Sequence, residues 1–231
     1  LGKYATASKY LEEALMIWRT GGDKHGTARA LISFAWVALR SGSYPLARAR
    51  LEKALAISRE LGDTRSIGFE LAGLGEVALR QGNYRVATQL VEESLELRRG
   101  LGNKWGIGVS LGILGWIAMR EENWDRAMAL LGESLEVRQE IGDLSGSAWC
   151  LERLAAVVEA RGQTEKAVRL LGAGSGLRAS IRSVIDPSDT PAYESKIRSW
   201  RARLGKEQFV ATWDEGRALT LEQAVDYALE R

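Results

Sequence analysis

The chain has 231 residues, with 32 Lys and Arg against 30 Asp and Glu and a single cysteine, Cys150. A formal charge of +2 leaves no field that would draw it to nucleic acid or anionic lipid, and one cysteine excludes an internal disulfide and points to a cytoplasmic setting. No stretch reaches the roughly 18 to 20 apolar residues that cross a bilayer, while 45% hydrophobic residues suffice for a core.

Gly2, Gly42, Gly82 and Gly162 stand 40 residues apart, with Glu122 in the remaining slot. The same frame aligns Tyr4, Tyr44, Tyr84 and Trp124, then Ala7, Ala47, Ala87, Ala127 and Ala167, then Leu11, Leu51, Val91, Leu131 and Leu171. Units that repeat in this way bury their apolar faces against their neighbours and build a quasi-one-dimensional solenoid. The chain opens in mid-repeat, which reads as a piece of a longer polypeptide. Its first element is a lone helix predicted near residues 3–20. Four helix pairs follow, starting near Asp23, Asp63, Asn103 and Asp143. In the pair from Asp63 to Gly102, Asp63 caps an A helix whose Leu71, Leu74, Ala78 and Leu79 recur at helical spacing, and Gly82 ends it. Asn83 caps the B helix, where Ala87, Val91, Ser94 and Leu95 form the apolar stripe. The last B helix carries Gly172, Gly174 and Gly176 and is expected to be distorted. Pro187 and Pro191 predict a break, and three short helices are expected after it: Pro191 to Leu204, Lys206 to Gly216, and Leu221 to Glu230 with Thr220 as N-cap. The organisation is therefore an array over residues 1–180 and a helical capping tail over 181–231.

Leu74-Gly75, Ala78, Tyr84, Ala87, Val91 and Ser94 match the Leu-Gly, small, aromatic and apolar positions of the tetratricopeptide repeat, which this chain resembles from residue 1 to about 180. It departs from that family in its period, 40 residues instead of the usual 34 or so, and in lacking the terminal proline. The resemblance implies an all-α, right-handed superhelical solenoid whose A helices line a concave groove. The family's ligand-contacting positions carry over to Arg29, Ile32, Trp36 and Arg40, then Phe69, Ala72, Glu76 and Arg80, then Val109, Gly112, Trp116 and Arg120, then Trp149, Glu152, Ala156 and Ala160. Of these, Arg29, Ile32, Trp36, Arg40, Phe69, Glu76, Arg80, Trp116, Arg120, Trp149 and Glu152 form the candidate site. Two plainer roles compete: the aromatics can pack between neighbouring A helices, and an arginine in a last turn complements the helix dipole. Trp124, in the tyrosine slot, reads as structural, as do Tyr44 and Tyr84.

The tail adds a second resemblance. Residues 170–178, L-L-G-A-G-S-G-L-R, with Tyr193-Glu194, Arg203-Leu204-Gly205, Phe209, Trp213 and the run from Gly216 to Ala224, look like the end of bacterial predicted-ATPase and LuxR-type regulators. In those proteins a STAND-class NTPase precedes the repeats. The likeness implies a sensing or autoinhibitory arm that takes a protein or peptide in its groove, with the NTPase as a neighbouring domain.

Catalysis finds no support in the residues. The G-x-G-x-G string at Gly172 follows no strand and has no Walker lysine. His25 is the only histidine, so neither a metal set nor a His-dependent triad can be assembled. Glu92 and Glu93, like Glu12 and Glu13, are adjacent residues pointing about 100° apart on a helix. No enzyme activity, cofactor or metal is expected. The leading reading is a non-catalytic interaction scaffold. Its rivals are a small-molecule sensor, stacking a sugar or aromatic effector on Trp36, Phe69, Trp116 and Trp149, and a self-association module with Trp18 and Trp105 as contacts.

Overall fold

The computed structural model describes residues 2–185 and 189–230, without the side chains of residues 2–5, 7 and 8; Pro187, and the side chains of Tyr4 and Ala7, lie outside the described residues. Those residues form helices α1 (Gly2–Thr20), α2 (Lys24–Arg40), α3 (Tyr44–Leu61), α4 (Thr64–Arg80), α5 (Tyr84–Gly100), α6 (Lys104–Arg120), α7 (Trp124–Glu140), α8 (Leu144–Ala160), α9 (Thr164–Ser180), α10 (Thr190–Leu204), α11 (Lys206–Arg217) and α12 (Leu221–Leu229). The predicted pairs are α2/α3, α4/α5, α6/α7 and α8/α9, and the three tail helices fall within a residue or so of their expected bounds.

The turns explain the frame. Gly22, Gly42, Gly62, Gly82, Gly102, Gly142 and Gly162 all have positive φ, and Glu122 adopts φ 57° in the same slot. At Gly82 the amide bonds to Leu79 O and the next amide, of Asn83, reaches back to Ala78 O, the paired closure that needs a left-handed residue. On the far side of the turns, Asp23, Asp63, Asn83, Asn103, Asn123 and Asp143 each accept a backbone N–H from three residues on, so the first free amides of the next helix are satisfied.

Contacts group the chain into two compact units, Leu1–Gly106 and Ile107–Arg231. In the first, α2 packs on α3, α3 on α4 and α4 on α5, around a core of Ala35, Leu39, Ala47, Leu51, Leu71 and Val77. Backbones come close where the frame has small residues: a Cβ added at Gly75 would stand 2.2 Å from Val91 Cγ2. A charged residue completes this core. Arg98, only 2% exposed, lays its stem over Gly68 and donates from Nη1 to Gly106 O at 2.7 Å. Burial lowers its pKa to about 10.

The second unit repeats the device. Arg138 in the equivalent slot donates to Ser134 Oγ and to Asp143, above Gly146, where a Cβ would overlap the guanidinium. Ser134 Oγ donates to Gly108 O at 2.7 Å across the helix pair. The core runs through Leu131, Leu135, Leu151, Leu154, Leu170 and Leu171 and continues into the tail at Trp200, Phe209, Ala224 and Val225.

The expected distortion of α9 is absent; it is regular from Thr164 to Ser180. Its glycines serve contact instead. Cβ atoms at Gly172 and Gly176 would meet the carbonyls of Trp213 and Arg217 at 2.4 and 2.6 Å, and one at Gly216 of α11 would meet Arg169 O at 2.1 Å. Gly174, on the other face, approaches Ala148 O and Glu152 of α8. The string thus lets α11 lie directly on α9 while α9 stays against α8. Thr220 caps α12 in a reciprocal box with Gln223, and α12 packs on α7, α8 and α9.

Candidate functional site

The A-helix positions singled out in the sequence fall into two groups, one in each unit. In the first unit, Trp36 and Phe69 meet edge to face at 5.7 Å, and Phe69 stacks on Trp105 at 6.1 Å with the rings 12° apart. Arg40 lies 5.5 Å from the Trp36 ring centre, and Arg98 lies 5.9 Å from that of Phe69. The result is a ladder of half-buried aromatic rings, its last rung, Trp105, 47% exposed. Ile32 is half-buried beside Leu31 and Ala54, and Arg29 is exposed. Arg80 differs from the accessible residue expected: its side chain is 11% exposed and faces Glu76 at 3.4 Å. Both packing and dipole complementation therefore contribute here, because Arg40 and Arg80 stand in last turns while the rings touch one another.

In the second unit, Trp116 and Trp149 meet edge to face at 6.1 Å. The guanidinium of Arg153 nests in the corner they form, 4.7 Å from one ring centre and 3.5 Å from the other. Its Nη2 donates to Asp189 at 2.9 Å, at the head of α10. Glu152 is buried, both of its carboxylate oxygens accepting from Arg178 of α9, at 2.6 and 3.0 Å. Arg120 is exposed. Sequence reasoning missed Arg153. The signal was there, for the frame aligns Ser33, Gly73, Ile113 and Arg153, and a cation breaks a series of small or apolar residues.

Other side chains considered in the sequence have settled roles. Tyr44 and Trp124 pack against the cores of their units. Trp18 covers Gly26, where a Cβ would stand 2.5 Å from the ring. His25, Glu12, Glu13, Glu92 and Glu93 are exposed, and Cys150 is buried beside Ser134 Oγ at 3.3 Å, its thiol pushed up by burial. Among the described residues no group of His, Cys, Asp and Glu side chains could hold a metal ion, and no helix is long and apolar enough to cross a membrane. A cleft of about 480 Å³ opens between α7, the α8–α9 turn and the end of α12, lined by Met128, Glu133, Arg161, Lys166 and Leu229 among others. A smaller one of about 180 Å³ lies by Leu74, Val86 and Leu90. Neither is lined by any candidate residue.

Helix hairpins capped and stacked in this way, with aromatic and basic side chains along their A helices, define a tetratricopeptide-like helical repeat, a type that typically serves as a non-catalytic scaffold for protein or peptide partners. The comparisons agree. Residues 1–60 match the tetratricopeptide repeat family. No curated protein sequence matches the chain. Among solved structures, BtubC (BKLC) from P. vanneervenii superposes with a TM-score of 0.66 at 17% identity, over 93% of this chain and 87% of that one. Two structures of nearly identical TPR-like repeats of a putative kinesin light chain from Podosopora anserina give 0.57 at 18% identity, one over 78% of this chain and 89% of its own, the other over 82% and 93%. Likeness at these identities establishes the fold, an all-α array of tetratricopeptide-like helix pairs.

Proposed function

We propose that the chain is a protein-interaction arm, with an array over residues 1–180 and a capping tail over 181–231, whose A-helix faces take a helix or extended peptide. The observation that supports this most directly is the corner of Trp116, Trp149 and Arg153, two half-buried indoles about a buried arginine, of the composition that dominates binding energy in protein interfaces. The residues that contribute to it are Arg29, Ile32, Trp36, Arg40 and Phe69 in the first unit and Trp116, Arg120 and Trp149 in the second, with Glu76, Arg80 and Glu152 fixing their neighbours through buried ion pairs. The likeness of the tail to LuxR-type and predicted-ATPase regulators supports a place beside a STAND-type NTPase, as a sensing or autoinhibitory arm in the cytoplasm.

The experiment is photo-crosslinking in cells. A crosslinking amino acid is placed at Arg29 or Arg120, both exposed on A helices, and as a control at Glu92 or Glu12 on B helices. A protein partner, or the NTPase domain itself, joined from the A-helix sites and not from the B-helix sites supports the reading. Crosslinks confined to the B-helix sites refute it.

A further inference from the structure

We propose that the N-terminal half of α10 is a tethered ligand: Asp189, Tyr193 and Lys196 hold the inner edge of α8 and α9, where a partner helix carrying an acidic residue and, four positions later, an aromatic one would lie. This rests on the reading of the A-helix faces as the interaction surface; it adds the kind of partner that the second unit takes and the element that holds the face until the partner arrives.

The tail helices are attached in different ways. α11 is locked to α9 by glycine contacts too close for any side chain, and α12 packs through Ala224, Val225 and Ala228 on α7, α8 and α9. α10 is mixed. Its C-terminal half is anchored by Trp200, 3% exposed, with Ile197 and Leu204 against the same core. Its N-terminal half is held by polar contacts and by the half-buried Tyr193 ring against that core. Asp189 accepts from Arg153, the Tyr193 hydroxyl bonds with Ser175 of α9, and Lys196 lies within the field of Arg153, Glu152 and Asp189. The spacing 189, 193, 196 puts the three side chains on one face of a helix. The outward residues of that half, among them Ala192, Glu194 and Ser195, are exposed.

The charges say what this face prefers. Without α10 the face presents two cations, Arg153 and Arg178, against one carboxylate, Glu152. Arg178 takes both oxygens of Glu152, which leaves Asp189 as the carboxylate at the outer edge of Arg153. With α10 in place, burial and next the charge of Arg153 hold the Lys196 ammonium below its ordinary pKa, while the face beneath keeps one more cation than carboxylates. A carboxylate from outside relieves this as Asp189 does, and the indole corner behind Arg153 fixes the guanidinium so that little side-chain freedom is lost when the pair forms. The aromatic of the incoming helix takes the place of Tyr193, in the manner of an amphipathic helix laid in a groove.

The test uses the full chain and, as probe, a fluorescein-labelled peptide of residues 189–204 with blocked ends, followed by anisotropy. A tethered copy competes at an effective concentration of the order of millimolar. Wild type should therefore bind the free peptide weakly, and the Asp189→Asn, Tyr193→Ala double variant at least tenfold more tightly. Adding Arg153→Ala should abolish that gain, as should Asp189→Asn in the peptide. Hydrogen exchange guards against misfolding: in the Asp189→Asn chain, amides of residues 193–196 should lose protection while those of 209–217 keep it. Equal binding by wild type and double variant overturns the proposal, and so does loss of protection that spreads through α11. If the peptide result fails while partners still crosslink from Arg120, only this inference falls; if crosslinks come from the B helices alone, the reading beneath it falls.

Discussion

Replacing Gly75 with alanine isolates the contact that sets the spacing of α4 and α5. The new methyl would stand 2.2 Å from Val91 Cγ2 and 3.3 Å from Ala87 O, and Val91 is itself completely buried. The obstacle is thus a β-branched side chain with nowhere to turn, backed by a carbonyl. Overpacking of this kind costs about 1–3 kcal/mol. Against it, alanine restores about 1 kcal/mol of helix propensity and unfolded-state entropy. The net expectation is a loss of up to about 2 kcal/mol. Gly100 provides the reference: it too is helical, it is exposed, and a Cβ there meets nothing within 4 Å. Gly100→Ala should gain up to about 1 kcal/mol by the same propensity term. Urea unfolding of both variants measures the difference, and Val91→Ala combined with Gly75→Ala should recover part of the loss through a favourable coupling term. If Gly75→Ala matched Gly100→Ala, the close approach would not be setting the register of the pair.

Glu122 occupies the left-handed slot that glycine fills elsewhere, so Glu122→Gly should stabilise the chain by several tenths to about 1 kcal/mol in the same assay; an unchanged or lower midpoint counts against strain at that turn. Glu70 is fully buried with Ser58 Oγ donating to one oxygen at 2.7 Å, and burial, opposed by that hydrogen bond and assisted by Asp63, raises its pKa from 4.5 to about 7. Because the folded value is the higher one, its contribution is complete below pH 4.5 and is lost as pH rises through about 7. At about 1.4 kcal/mol per pH unit, stability should fall by about 3 kcal/mol across that window. Glu70→Gln should flatten this part of the profile. Gly216→Ala should loosen α11 from α9, because the added carbon would strike Arg169 O at 2.1 Å; near-ultraviolet dichroism of Trp213 should weaken while far-ultraviolet helix content holds, and an unchanged tryptophan signal would refute the packing account.

Much of the fold was legible because the turn chemistry repeats: a left-handed residue followed by an Asp or Asn cap recurs in frame, and it marks helix ends independently of packing. What stayed hidden involves residues whose partners are far away in sequence. The glycines of α9 look like a defect until α11 is seen lying on them. The buried arginines look solvated on a helical wheel, yet the frame held a clue: Gly106 and Gly146 oppose Arg98 and Arg138, whereas Ser66 occurs where the partner is Ser58. The same exchange accounts for Glu70, a large A-helix residue among Ala30, Ser110 and Cys150, in the one repeat whose B-helix partner is small. In the candidate site, the aromatic positions were readable from the register. Arg153 stood out as a cation in a frame position otherwise small or apolar, but its role was not readable, because it arises only when two indoles converge on it.

The central claim is that partners engage the A-helix faces. Arg29 and Arg120 are exposed there, so reversing both to glutamate leaves the cores untouched. The measurement is a titration of wild type and of the Arg29→Glu, Arg120→Glu chain with the partner identified by crosslinking, alongside a thermal melt of each. The account predicts a melt lowered only slightly, by the dipole complement lost at Arg120, and at least a tenfold weaker affinity for the variant, the effect of about 1.4 kcal/mol or more. Equal affinities in folded chains would contradict it and move the interaction surface off these faces.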